Sequence, residues 1–139
     1  MSLQQVASLP GVPAVASSRR TAERRLALTL LAGVGTFQLA LAAGAPWGAA
    51  AWAGHSPGVL PTPLRVASGI SVVAYSGLAA TVASDRLGST ARRRGLTGAS
   101  LLMALGTVGN LATRSPVERL WAPIAAALAV LLWRLRGAR

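Results

Sequence analysis

The sequence predicts an all-α integral membrane protein, a four-helix bundle with both termini in the cytoplasm. Three observations carry that prediction. Charge is scarce, apolar runs of membrane-spanning length recur four times, and the Arg residues gather on one side of those runs. Charged residues make up 12% of the chain and hydrophobic residues 53%, with a mean hydropathy of +0.51. A soluble domain carries about 25% charged residues, so the shortfall points to lipid as the solvent. A chain of 139 residues has room for one domain.

The formal charge of +11 comes from Arg alone, because there is no Lys. A nucleic-acid binder needs a water-soluble basic face. Here short Arg clusters alternate with apolar runs, so nucleic acid is not an expected partner. The chain has no Cys, which excludes disulfides and thiolate chemistry.

Residues 1–18 contain Pro10, Gly11 and Pro13 and no charge, and are expected to form a flexible cytoplasmic tail. They lack the basic start and compact apolar core of a secretory signal. Arg19, Arg20, Arg24 and Arg25 then precede an uncharged run over 26–45. About 20 apolar residues cross a hydrocarbon core of about 30 Å, so this is the first span, closed by Pro46. Ser18-Arg19-Arg20, the apolar run and Ala43-Gly44-Ala45 also match the outline of a twin-arginine export signal. The run is long for a signal, however, and three more follow it.

The stretch 46–65 holds Trp47, Trp52, His55 and four of the eight Pro. It reads as an outer loop between the first two spans. Pro46 is expected to start a short interfacial helix through Trp52, ended by Gly54, with both indoles toward lipid. Pro57-Gly58 is a turn signal. Thr62 before Pro63 has the form of an N-cap, and the second span follows over 63–84. Asp85, Arg86 and Arg92-Arg93-Arg94, with Gly88 and Gly95, make a charged loop before a third span over 95–113. Arg114-Ser115-Pro116 turns the chain into a fourth span over 116–135, in which Pro123 should introduce a kink.

Orientation follows from the 14 basic residues. Arg65, Arg114 and Arg119 fall on one side of the spans, and all the others fall on the side of the termini. The positive-inside rule therefore places both termini in the cytoplasm, in a bacterial inner membrane. Trp47, Trp52 and Trp121 are expected as interface anchors on the outer face, and Trp133 on the inner one.

Close helix approach in lipid depends on small residues. Ala32, Thr36, Ala40 and Gly44 form such a stripe in the first span. Gly69, Gly77 and Thr81 do so in the second, and Gly98, Gly106 and Gly109 in the third. These are expected as intramolecular seams that could also serve a homodimer or a membrane-protein partner.

Few groups could carry chemistry. Glu23 and Asp85 lie in cytoplasmic flanks, and Glu118 lies at the outer end of the fourth span. Small multidrug antiporters share this size and helix count but depend on a membrane-embedded Glu, for which there is no equivalent here. One His and no Cys supply too few ligands for a transition metal or haem. No metal or cofactor is therefore expected. No nucleophile, base and orienting acid can be assembled around His55, so an enzyme is the least favoured class. His55 reads as a solvated loop residue, with interfacial pH sensing its one special role.

Ser115-Pro116-Val117-Glu118 matches a capping box, with Ser115 as N-cap and Glu118 reaching back to it. The rival reading is a functional carboxylate paired with Arg65, Arg114 or Arg119. Gln38, Tyr75 and Asn110 are polar groups inside spans, where an unpaired amide costs several kcal/mol. They are expected to face inward and bond one another, Ser71, Thr107 or backbone. The plain reading is interhelical glue. The sharper one is a polar cavity opening outward beneath the 46–65 loop, with Arg65 and Arg114 at its mouth to attract an anionic head group.

The run GAPWGAAAWAGHSPGVLPTPLRVAS over 44–68, with GNLATRSPVERLWAP over 109–123, resembles small bacterial four-span membrane proteins. The resemblance covers about half the chain and both outer connections. It implies the four-span topology and transfers no activity or catalytic residue. Two functions remain as expectations. The first is a non-enzymatic accessory or interaction subunit among membrane lipids. The second is a small-molecule or lipid binding or transport protein using Gln38, Arg65, Tyr75, Asn110 and Arg114.

Overall fold

The computed structural model describes residues 12–54, 56–84 and 86–137. The expectations placed on His55 and Asp85, and on residues 1–11 of the tail, lie outside them. The described chain folds into helices α1 (Val12–Ala43), α2 (Thr62–Ala83), α3 (Ser89–Ala112), α4 (Pro116–Arg119) and α5 (Trp121–Leu135). Four segments are long and apolar enough to cross a membrane: Val15–Ala43, Thr62–Ala83, Ser89–Ala112 and Pro116–Leu135. The last runs through α4 and α5.

Helix α1 begins earlier than the tail expectation allowed, already at Val12, and runs for 32 residues. At 1.5 Å per residue that is about 48 Å, well beyond a hydrocarbon core of about 30 Å. Residues 12–18, expected in the tail, are therefore helical, and the basic turns around Arg19 to Arg25 continue the same helix. Glu23 accounts for part of this order. Its carboxylate accepts from Arg134 at 2.9 Å and lies 3.6 Å from Arg19, tying the start of α1 to the end of α5. At the other end of α1, Gly44 takes φ +101°. The Ala45 N–H then reaches the Ala40 carbonyl at 2.9 Å and Gly44 reaches Leu41 at 3.1 Å, which is a Schellman closure.

Two boundaries differ from expectation. Thr62 is the first helical residue of α2 rather than its cap; Pro61 holds the cap position and Pro63 sits within the first turn. Helix α3 starts at Ser89 and absorbs Arg92-Arg93-Arg94, because Arg is a good helix former. Arg92 Nη1 donates to the Leu135 carbonyl at 2.9 Å, placing a cation at the C-terminal end of α5, where the helix dipole favours it. The break expected from Pro123 falls at Leu120, between α4 and α5.

The helices form two antiparallel hairpins, α1 with α2 and α3 with α5, joined mainly where α1 meets α5. Helices α2 and α3 touch sparingly. Leu31, Val82, Leu96, Leu128 and Leu132 fill the core at the end where the termini lie. A buried Ser100 hydroxyl donates to the Ala129 carbonyl at 2.7 Å and locks α3 to α5. The glycines of the second and third stripes do not form seams within the described chain. Among the described residues, a Cβ added at Gly69, Gly77, Gly98, Gly106 or Gly109 would meet nothing within 4 Å; Gly35 approaches α2 at Tyr75, and Gly44 lies under Arg65 of α2. Leu side chains make up most of the buried core between the helices instead.

Candidate functional site

The loop between α1 and α2 is folded down over the bundle. It forms two short 3-10 turns, Gly48–Ala50 and Trp52–Gly54, where a single helix was expected. The Gly48 N–H donates to the Gly58 carbonyl at 3.0 Å and closes the loop on itself. Ala51 and Leu60 are buried with Leu41, and Phe37 and Leu64 pack against them.

A set of polar bonds then fastens this cap to the start of the fourth span. The Trp121 indole donates to the Ala50 carbonyl at 2.9 Å. Ser115 Oγ donates to the Ala49 carbonyl at 2.7 Å. Glu118, only 9% exposed, accepts the Ala53 N–H on one oxygen at 3.0 Å and the Thr113 hydroxyl on the other at 2.6 Å. The capping box is thus half formed. Ser115 Oγ accepts the Glu118 N–H at 3.3 Å as predicted. The return arm is missing, because the Glu118 carboxylate serves the loop and the Ser115 N–H turns to Thr113 Oγ1 at 3.3 Å.

The cost of presenting Ala53 to Glu118 is visible in the backbone. Trp52 and Ala53 take φ of 53° and 63°, a left-handed region that disfavours a Cβ. Such residues persist only where surrounding bonds hold them. Here the charge-assisted bond at Ala53 and the Trp52 indole donating to Ser68 Oγ at 3.1 Å do so.

Beneath the cap lies a cavity of about 310 Å³, walled by all four spans and roofed by Ala50, Ala51 and Trp52. Gln38, Tyr75 and Asn110 all line it, as does Ser71. The three polar groups from three separate spans converge on one space. They do not lean on the hydroxyls expected to satisfy them: Ser71 and Thr107 donate to carbonyls of their own helices, Ala67 and Met103. Gln38 Oε1 is buried and has no hydrogen-bond partner among the described residues. An orphan acceptor in such a setting is costly.

Other expected site residues lie elsewhere. Arg65 does not line the cavity; its Nε donates to the Ala42 carbonyl at 3.0 Å, and its guanidinium lies over Gly44. It caps the C-terminal end of α1, where dipole and orphan carbonyl both favour a cation. Arg114 is exposed and likewise off the cavity wall. Neither stands at a mouth, and Glu118 pairs with none of the three Arg expected of it. Arg119 Nε instead donates to the Thr113 carbonyl at 3.0 Å.

The four Trp divide. Trp47 is exposed and stacks at 6.2 Å on Phe37, and Trp133 is exposed beneath the Arg136 guanidinium at 3.2 Å. Both fit an anchoring position. Trp52 and Trp121 turn their N–H groups into the protein and line the cavity with Phe37 and Glu118. Sequence reasoning missed these four as cavity residues. Periodicity offered little signal, since the loop supplies one wall and the carboxylate looked committed to a cap.

No family model matches the chain, and neither do any of the curated proteins or solved structures with which it was compared.

Proposed function

We propose that the protein is a membrane-embedded binding protein that holds a small amphipathic molecule beneath its capping loop. One observation carries the reading. Gln38, Tyr75 and Asn110 line a single cavity, and the buried Gln38 Oε1 lacks a partner. Ligand sites run from about 300 to 1,000 Å³, largely apolar with a few convergent polar groups. At about 310 Å³ the cavity suits a small ligand and excludes a whole diacyl lipid.

The test is purification from native membrane in mild detergent, followed by extraction and mass spectrometry of bound small molecules. A discrete molecule should accompany the wild type and be lost from Gln38→Leu and Asn110→Leu variants that still unfold at near-normal temperature. An empty wild-type protein would count against the reading. The accessory-subunit reading draws support from the open glycines of α2 and α3, where no described residue packs within 4 Å of an added Cβ. A stoichiometric protein partner in the same preparation would favour it.

The orientation proposed with this function has the loop and cavity facing outward and both termini in the cytoplasm of a bacterial inner membrane. The support is the crowding of Arg at the end away from the loop. A periplasm-active reporter fused after Arg139 is expected to be silent, and one inserted after Gly58 active. The opposite pattern would reverse the assignment.

A further inference from the structure

The cavity has a charge and a lining that do not match the rest of the chain. The chain carries 14 basic and three acidic residues. Yet among the described residues the one charged side chain on the cavity wall is a carboxylate, Glu118. Among the described residues, the ion pairs belong to Glu23, not to Glu118. Glu118 is held instead by two neutral donors, Ala53 N–H and Thr113 O–H. A carboxylate offers about four lone-pair sites, so accepting capacity remains beyond these two bonds.

The aromatic residues are concentrated in the same place. The chain has four Trp, one Tyr and one Phe. Of these, Phe37, Trp52, Tyr75 and Trp121 line the cavity. Aromatic faces attract cations, most strongly when both are desolvated, and Trp is the best of them. The unpartnered Gln38 Oε1 adds an acceptor that seeks a donor. The carboxylate, the aromatic rings and the amide oxygen favour positive charge, and no described lining residue carries a positive charge.

We infer that the ligand of this cavity is a monovalent organic cation, a substituted ammonium carrying an apolar group. The inference rests on reading the cavity as a binding site. A soft, weakly hydrated ammonium loses little on entering an aromatic-lined space. A hard divalent ion would need six or more oxygen ligands, and among the described residues no cluster of three acidic, His or Cys side chains exists. The anionic head group expected from the sequence has no cationic wall to meet it, because Arg65 and Arg114 are not there.

The probe pair is benzyldimethylammonium and its neutral isostere isobutylbenzene, of nearly equal shape. Each is titrated calorimetrically into nanodiscs of neutral lipid carrying the full chain, with empty nanodiscs correcting for partition. The ammonium should bind at least tenfold more tightly than isobutylbenzene. Glu118→Gln, which keeps an acceptor for Ala53, should erase that preference. Tyr75→Leu should weaken the ammonium several-fold and leave isobutylbenzene unchanged, and it decides the matter alone if Glu118→Gln fails to fold. Equal or tighter binding of isobutylbenzene would overturn the cation inference while leaving a ligand cavity in place. Binding of neither probe would overturn the inference, and an empty native preparation alongside it would sink the binding-protein reading too.

Discussion

Glu118→Ala is expected to lower stability by ~1–3 kcal/mol, a large effect for a single side chain. The substitution strips the Ala53 N–H and the Thr113 hydroxyl of their common acceptor at once. Thr113 is buried, so its hydroxyl is not resatisfied cheaply, whereas the exposed Ala53 can turn its N–H to water. The left-handed Trp52 and Ala53 would lose the bond that offsets their conformation. Thermal unfolding in detergent measures the loss. Glu118→Gln should fall between wild type and Ala, since an amide oxygen can still accept from Ala53. If Glu118→Ala unfolds with the wild type, the latch between loop and fourth span is not a structural element.

Gly48→Ala should cost about as much, ~1–3 kcal/mol or more. A Cβ at this position would overlap the Ser56 carbonyl and lie 2.8 Å from that of Gly58. These are backbone atoms of the loop's own closure, made by the Gly48 N–H to Gly58, and they cannot rotate away as a side chain can. The cap should lift from Leu41 and Phe37, exposing Trp52 and Trp121. A red shift in Trp emission, faster proteolysis within the loop and a lower unfolding temperature are the expected signs. Gly98→Ala is the control. Its Cβ meets nothing within 4 Å, and Ala suits a helix interior better by roughly 0.5–1 kcal/mol. A Gly48→Ala variant as stable as that control would remove the steric argument.

The two substitutions act on one object, a loop that serves as a lid with both of its edges bonded. Their shared consequence is functional as well as structural. If the cavity holds a ligand, either change should release it without altering any side chain of Gln38, Tyr75 or Asn110.

Much of the fold was legible because a bilayer constrains it. A spanning segment must satisfy its own backbone, so it must be helical, and its length must match the hydrocarbon. The second and fourth spans accordingly emerge near their expected limits, and the third ends near its own but starts earlier, at Ser89. The first runs on into its basic flank, because nothing in Arg19 to Arg25 stops a helix and Glu23 finds Arg134 across the bundle. The expectation that polar groups inside spans turn inward also held for Gln38, Tyr75 and Asn110, since hydrocarbon solvates none of them.

The site was legible only in part. Arg65 and Arg114 looked like a cationic mouth because they flank the loop in sequence. Folding sends Arg65 to the Ala42 carbonyl instead, at the C-terminal end of α1 where a cation is favoured. Trp52 and Trp121 looked like interface anchors because most Trp at span ends are. Their N–H groups found Ser68 and Ala50, contacts set by how the loop folds back and not by their own spacing.

By itself, then, the sequence determined that this chain has four apolar helices, that its charge lies in their flanks, and that three buried polar groups need company. These are local properties, set by the cost of placing each residue type in lipid. Tertiary structure alone decided that the 46–65 loop closes over those groups, that Glu118 faces the cavity while holding the loop, and that the rings of four aromatic residues gather there. Each of these depends on a partner far along the chain, such as Ala53 for Glu118 or Ala50 for Trp121. No periodicity or composition encodes such a pairing, because it follows from how two hairpins settle against each other.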